Sequence, residues 1–466
     1  MNLEKEIKHI PFLEKVTEIS KKLNVEAYII GGFVRDMILK REKNEIDFLI
    51  IGNGIEFAKE LSKLLNGNKI SIFKNFGTAH FKYENFDLEF VGARKESYDR
   101  GSRKPVVETG TFIDDINRRD FTINTLALSL NKNNFGEVID TYNGLNDIEN
   151  KIIKTPLDPE ITFDDDPLRI MRAFRFAAQL DFSVDEKILT AANKLRERLK
   201  IVSQERITDE FLKILSSPKP SVGIQLIYDS QVLEIVFPEI ANLAGVEQRK
   251  DFHHKDVFNH TMIVLDNISK ATDNVWLRFA ALVHDIAKPP TKRFFEDVGW
   301  TFHGHEDLGS QMMKGIFHRL KLPLNKLPYV EKLILLHLRP IALAKEEVTD
   351  SAIRRLIVAA GEDLEDLITL CRADITSKNP GKVTKYLSNY EKVMQKVWEV
   401  EEKDKLRAFQ SPVRGEEIMK LFNLKPSKTV GDIKHAIEEA ILDGKIENNY
   451  DAAYNYLMQI KDDYIK

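Results

Sequence analysis

The chain has 466 residues, too many for one ordinary core, so three or four units are expected. Lys and Arg total 69 against 73 Asp and Glu, a net charge of −4, which excludes a globally basic nucleic-acid binder and confines any such surface to local patches. One cysteine, Cys371, excludes an internal disulfide and argues against a thiolate zinc site, and no apolar run reaches signal-peptide or membrane-spanning length, so a cytoplasmic protein without a membrane partner is expected.

An amphipathic helix opens the chain. Residues 27–31 (AYIIG) and 46–51 (IDFLII) read as short buried strands with a Gly-Gly turn and a helix between them. Strand-like runs follow at 68–73, 79–84 and 87–93, completing a small α/β module that ends near residue 150. From about Asp166 apolar residues recur at helical spacing nearly to the end, with Pro- and Gly-bearing breaks near 217–222, 289–300, 340 and 411–415. The expectation is an α/β head with a small mixed sheet, followed by an extended all-α body.

Within the head, Gly31-Gly32-Phe33-Val34-Arg35-Asp36 follows a strand and opens a helix, a place where small residues let backbone N–H groups approach phosphate and Arg35 adds a forked cation. Alone, such a turn also reads as an ordinary strand-to-helix connection. Glu45 and Asp47 stand at i and i+2 of a strand, so both carboxylates share one face and repel unless a cation separates them. Mg²⁺ held by that pair, with Glu89 on the later strand DLEFV, would activate a 3′-hydroxyl and stabilise a pyrophosphate leaving group. A solvated strand face is the plain alternative.

These features, with Arg94 in EFVGAR and R-R-D-F-T-I-N at 118–124, resemble the tRNA nucleotidyltransferase and poly(A) polymerase class of the polymerase-β superfamily. The family carries Asp at both carboxylate positions; Glu45 lengthens the first arm by one methylene, which shifts a ligand oxygen by about an ångström and can cost roughly 10²-fold in rate. The resemblance implies that Arg118, Arg119, Asp120 and Asn124 grip the triphosphate and ribose. It also implies that segment 97–113, with Arg103 and Pro105, is the loop used to switch from C to A.

Residues 164–175 (DDDPLRIMRAFR) read as a helix start, with Asp166 as cap, Pro167 first, and Arg169, Arg172 and Arg175 at every third position. Cytosine and adenine each place an amine donor beside a ring-nitrogen acceptor, so a carboxylate next to a guanidinium complements both and opposes uracil and guanine. Asp166 and Arg169 supply such a pair. The block resembles the family's base-reading motif, present here as Asp165-Asp166-x-x-Arg169, and places Arg172 and Arg175 toward base or triphosphate.

Further along come His260, the pair His284-Asp285, His305 with His303 as competitor, His337 and Asp374. A lone histidine is usually packed and hydrogen-bonded, but this ordered set resembles the HD phosphohydrolase superfamily, which implies one or two divalent transition metals in a helical bundle. Lys288 is placed to meet a phosphate. Phosphodiesterase or phosphatase chemistry follows from the resemblance, with 2′,3′-cyclic phosphate ends of tRNA one substrate.

The segment P-S-K-T-V-G at 426–431 resembles the family's tail, where backbone N–H groups and Lys428 face a tRNA phosphate. The expected division is a head at 1–150, a helical neck at 151–245, an HD domain at 246–400 and a tail at 401–466. The implied function is template-independent addition of CCA to tRNA from CTP and ATP. The alternatives are an HD hydrolase with a weakened head, or a poly(A), CC-only or A-only transferase.

Overall fold

The computed structural model describes every residue except 67–68, 75–76, 98–105, 248–255, 344–348, 378, 405–410 and 466, so Arg103 and Pro105 lie outside the described residues. The chain forms two compact units, Met1–Ala241 and Asn242–Lys466. Among the described residues, no helix is long and apolar enough to cross a membrane.

The first unit is built on a seven-stranded sheet. Its members are β1 (Glu26–Ile30), β2 (Glu45–Ile51), β3 (Ser71–Phe73), β4 (Thr78–Tyr83) and β5 (Phe86–Gly92). The pair β6 (Arg94–Ser97) and β7 (Val106–Thr109) forms a separate ribbon, and β8 (Ala127–Ser129) and β9 (Val138–Ile139) complete the sheet in the order β3-β4-β5-β2-β1-β8-β9. Only β2 and β5 run parallel; the other neighbours are antiparallel, so the sheet is mixed as expected.

Strand alternation sorts the two faces of β2. Ile46, Phe48 and Ile50 point into a core where Phe90 stacks on Phe48 at 4.6 Å and on Phe81 at 5.5 Å. Glu45, Asp47 and Leu49 take the other face. There Leu49 is covered with Tyr28, Ile30 and Ile116, while the two carboxylates occupy the end that opens to the cleft.

Six helices position the site: α1 (Leu13–Leu23), α2 (Gly32–Ile38), α3 (Gly54–Leu64), α4 (Phe112–Asn117), α5 (Leu168–Leu180) and α6 (Gln204–Leu215). Helix α5 is buried nearly all round, because α6 and a further helix, α7 (Pro220–Asp229), pack against it. Gly223 permits the second approach: a Cβ there would meet Ile214 at 2.5 Å and Ala178 at 3.2 Å.

The second unit is helical: α8 (Val257–Ala271), α9 (Val275–Val283), α10 (His305–Arg319), α11 (Leu327–Leu336), α12 (Asp350–Ala360), α13 (Leu364–Ala373), α14 (Pro380–Asp404), α15 (Lys428–Leu442) and α16 (Tyr450–Tyr464). The expectation of helix throughout the body fails at Ser183–Val184, a short strand paired with Ile152–Ile153 in the first unit, and at a hairpin in the second. Residues Arg293–Phe295 and Gly299–Thr301 form an antiparallel hairpin, because Pro289 and Pro290 confine the preceding helix to Lys288–Thr291 and Gly299 takes a positive φ at the turn. The tail has its own core of Val413, Ile418, Ile433, Ile437 and Leu457, and Arg355 of α12 holds Glu439 at 2.7 Å and Asp443 at 2.6 Å.

Candidate active site and metal centre

In the first unit a cleft of about 820 Å³ lies over Gly31, Gly32 and the carboxylate end of β2, with Arg119, Arg172 and Arg175 along its walls. Its volume suits a nucleotide. Gly31 turns the chain with φ +79°, a value that favours glycine; a Cβ there would stand 3.4 Å from Arg119 Nη1 and 3.9 Å from Asp47 Oδ2.

Asp47 and Glu89 are register partners on the parallel strands β2 and β5, so their side chains leave the sheet side by side. Burial pushes the Asp47 carboxyl up against the pull of Arg119 and Lys43; burial and then the charge of Asp47 push Glu89 up. Oxygen donors destabilised as a pair are a donor set that a hard divalent cation relieves, and the residues fit one. Glu45 lines the cleft with Asp47 and its charge also pushes Asp47 up, but its side chain is 69% exposed and ion-paired with Lys43 at 3.2 Å.

The arginines carry counter-ions supplied by the chain. Arg35, expected as a free fork for phosphate, donates from Nε and Nη2 to Asp36 at 2.9 Å each and from Nη1 to Asn124 at 2.7 Å. Asn124 donates to Asp120 at 3.0 Å, and Asp120 accepts from Arg172 Nε and Nη2 at 2.9 and 2.6 Å, so one network joins α2 to α5. Burial opposes ionisation of Asp120, yet Arg172 outweighs it and holds the carboxyl well below its usual range. The Asp120 oxygens, expected to face ribose or triphosphate, are thus engaged within the protein, by Arg172, Asn124 and the backbone of Phe121.

Arg175 pairs with Glu210 of α6 at 3.0 Å, and here burial dominates, raising the carboxyl and lowering the guanidinium. Arg118 and Arg119 share the fully buried Asp115. Burial opposes its ionisation too, but the two guanidiniums hold the carboxyl below its ordinary value.

Asp166 accepts from Leu168 N at 3.2 Å, which is capping geometry, although the helix is counted from Leu168 with Pro167 before it. Arg169 donates to the carbonyls of Thr162 and Arg118, at 3.3 and 2.6 Å, and Asp166 lies 3.9 Å from Arg206. Asp166 and Arg169 are joined through the backbone, Arg169 N donating to the Asp166 carbonyl at 3.0 Å.

Sequence reasoning passed over Lys43, Asp115, Glu210 and Phe176. Phe176 carries the guanidiniums of Arg175, Arg35 and Arg172 at 4.3, 5.0 and 5.6 Å from its ring centre. Asp115 had a legible signal, since it precedes Arg118 by three and Arg119 by four residues on a helical turn. Glu210, 35 residues from Arg175, had none.

In the second unit the predicted residues converge. His284 and Asp285 end α9, His305 opens α10, His337 ends α11, and Asp374 follows α13. His260 Nε2 lies 2.8 Å from Asp374 and 3.6 Å from Asp285 Oδ2; His284 Nε2 lies 3.2 Å from the same Asp285 oxygen. The other oxygen, Oδ1, faces His305 at 3.3 Å and His337 at 4.0 Å. Two ligand groups form around one bridging carboxylate: His260, His284 and Asp285, and Asp285, His305 and His337. His303 is exposed and belongs to neither.

The remaining ring nitrogens explain the orientation. Nδ1 of His284, His305 and His337 contacts the carbonyls of Ala281, Phe302 and Ile334 at 2.8, 2.8 and 2.6 Å, and Nδ1 of His260 contacts Thr376 Oγ1 at 2.9 Å. A carbonyl only accepts, so these three Nδ1 atoms carry a proton and Nε2 is the atom each ring turns toward the carboxylates. The Nε2 atoms of His305 and His337 face one another at 3.3 Å, close enough to share a proton or a cation. Imidazole with carboxylate suits a divalent transition metal, and the residues fit one or two. Burial lowers His284, but Asp285 and Asp374 overcome it and push the ring up to about 10; burial and the neighbouring His284 bring His337 down to about 4. Lys288 donates to Asp285 at 2.6 Å.

Family comparisons agree with this layout. The poly A polymerase head domain matches residues 27–154, the probable RNA and SrmB-binding site of polymerase A matches 181–243, and the HD domain matches 257–378. An A-adding tRNA nucleotidyltransferase of Aquifex aeolicus is 36% identical over 277 residues, 59% of this chain and 33% of that protein, so the match spans about a third of its length. A multifunctional CCA protein of Shewanella frigidimarina is 32% identical over 307 residues, 64% of this chain and 70% of that protein. A solved tRNA nucleotidyltransferase, in complex with a primer tRNA and an incoming ATP analogue, superposes with a TM-score of 0.58 at 25% identity, covering 82% of this chain and 99% of the other. With more than 30% identity to relatives of which it covers about 70%, and a head, helical continuation and HD centre of its own, the chain belongs to the family of the multifunctional CCA proteins.

Proposed function

We propose that this protein is a template-independent tRNA nucleotidyltransferase that adds CCA to tRNA 3′ ends from CTP and ATP, with Mg²⁺ in the head. The observation that carries the reading is the cleft in which Glu45 and Asp47 stand beside Gly31 and Arg119, with Glu89 the register partner of Asp47 on the next strand. Asp47 and Glu89, with Glu45 as a third carboxylate, would hold Mg²⁺, which when bound supplies charge for the attacking 3′-hydroxyl and the leaving pyrophosphate. The 3′-oxygen forms a bond to the α-phosphorus as the bond from that phosphorus to the β-phosphate oxygen breaks.

Arg119, anchored by Asp115, is the cation nearest Asp47 at the glycine turn and binds the triphosphate. Arg172 and Arg175, braced by Asp120 and Glu210, give the nucleotide a rigid cationic wall, and Asp166 with Arg169 reads the amine edge shared by cytosine and adenine. The second site is proposed to hydrolyse phosphoesters: His260, His284, Asp285, His305, His337 and Asp374 would hold one or two divalent metals, which would supply an activated water, and Lys288 meets the phosphate. In the tail, Lys428 at the start of α15 is proposed to touch a tRNA phosphate.

Incubating a tRNA transcript without its CCA end with Mg²⁺, CTP and ATP tests the reading: three added nucleotides support it. A second reading, addition of the terminal A alone, is favoured by the 36% identity to the Aquifex aeolicus protein. Extension only of transcripts already ending in CC would establish that reading instead.

A further inference from the structure

The hairpin Arg293–Phe295 and Gly299–Thr301 projects from the second unit with every strand residue exposed or half-exposed. Such a two-stranded element is marginal in water without something to cover it. Its apolar surface is concentrated in rings and one branched side chain: Phe294 is 44% exposed, Phe295 52% and Val298 76%. Phe294 meets Trp300 edge to face at 5.0 Å, and Lys292 Nζ sits 4.1 Å from the Trp300 ring centre.

Both ends of the hairpin are tied to the His/Asp centre. Before it, Thr291 donates to the carbonyl of Ala287 at 2.7 Å, one turn beyond Asp285, and Lys288 donates to Asp285 itself. After it, the carbonyl of Phe302 accepts from His305 Nδ1, and the Phe302 ring lies 5.7 Å from Lys288 Nζ. Charge is graded along the element. Lys292 and Arg293 lie at its base, toward the centre, while Glu296 and Asp297 occupy the turn. A ligand with its anion at the centre and a flat apolar group further out matches that gradient.

We propose that this hairpin is a stacking platform that holds the terminal, unpaired nucleobase of an RNA 3′ end while its phosphate lies at the His/Asp centre. Phe295 offers an exposed ring face on the same side of the ribbon as Arg293, which meets the backbone, while Phe294 and Trp300 pair on the other side. The hairpin makes the centre selective for nucleotides at a chain end over phosphoesters that lack a base. This rests on reading that centre as a phosphoester hydrolase.

The test uses the full chain and a tetranucleotide with 2-aminopurine as its last base and a 2′,3′-cyclic phosphate end. Fluorescence quenching reads stacking, and hydrolysis is followed in the same samples beside that of bis(p-nitrophenyl) phosphate. Native protein quenches the probe; Phe295→Ala and Arg293→Ala each weaken its binding about 10-fold and lower the preference for it over bis(p-nitrophenyl) phosphate by a similar factor, and Phe295→Tyr restores both. Quenching equal in native and alanine variants overturns the proposal. So does an equal loss on both substrates, or a change in oligomeric state, because either assigns the rings to folding or to contact between copies. Hairpin-dependent quenching without hydrolysis of either substrate leaves the platform standing and removes the hydrolase reading.

Discussion

In the N-terminal cleft the buried cations arrive with partners, Arg172 with Asp120 and Arg175 with Glu210, whereas the C-terminal centre gathers four imidazoles and two carboxylates around shared points. The first arrangement makes a stiff wall whose charges are compensated and leaves Asp47, half-buried beside Glu45 and Glu89, with its carboxyl raised. The second turns Nε2 atoms inward from rings fixed by backbone carbonyls. A nucleotide and its cation would complete the cleft at each turnover, while the preordered rings of the centre suit a metal that stays.

That contrast can be broken most severely at the two carboxylates that have no substitute. Asp47→Ala is expected to slow nucleotide addition by more than about 10²-fold while leaving metal content in the second unit intact, checked by gel extension and elemental analysis. Asp285→Ala should do the reverse, removing both ligand groups at once: metal retained after dialysis against a chelator falls to background, and nucleotide addition persists. Loss of addition in that variant would contradict independence of the two sites.

A smaller effect is expected at Glu45. Its exposure and its pairing with Lys43 predict that Glu45→Ala slows addition by only about 10-fold, and that Glu45→Asp speeds it if the longer arm is a handicap. A loss as deep as that of Asp47→Ala would make Glu45 an equal ligand.

The supporting pair Asp120–Arg172 sharpens the comparison from the side of stability. Asp120→Asn removes a buried counter-charge and should cost about 3 kcal/mol, read as a fall in melting temperature. The pH dependence has a definite sign. Both Asp115 and Asp120 are held below the ordinary carboxyl value of 3.8, so the unfolded chain takes up protons first as pH falls. Their contribution is present above about pH 4 and is lost on acidification below it; Asp120→Asn should flatten that loss in melts between about pH 6 and 3.

Much of this was legible along the chain. The strand IDFLII alternates so that Ile46, Phe48 and Ile50 enter the core while Asp47 faces the cleft, and the histidine spacing placed ligands at helix ends before any fold was known. The hairpin at 293–301 was visible only as a break, because two prolines and a glycine announce an interruption without saying that the intervening aromatics pair across it.

Local sequence carries the periodicities, the caps and the order of motifs, since each depends on neighbours within a turn or a strand. It established the sheet-forming head, the helical body, the carboxylate face and the His/Asp ligand set. Which charges neutralise which could not be read that way: Arg172 finds Asp120 across 52 positions and Arg175 finds Glu210 across 35. The same holds for Asp285, whose two oxygens divide between two ligand groups because four helix ends meet around it. Burial sets the strength of such pairs, and burial is a property of packing, which comes into being when distant segments close over the same space.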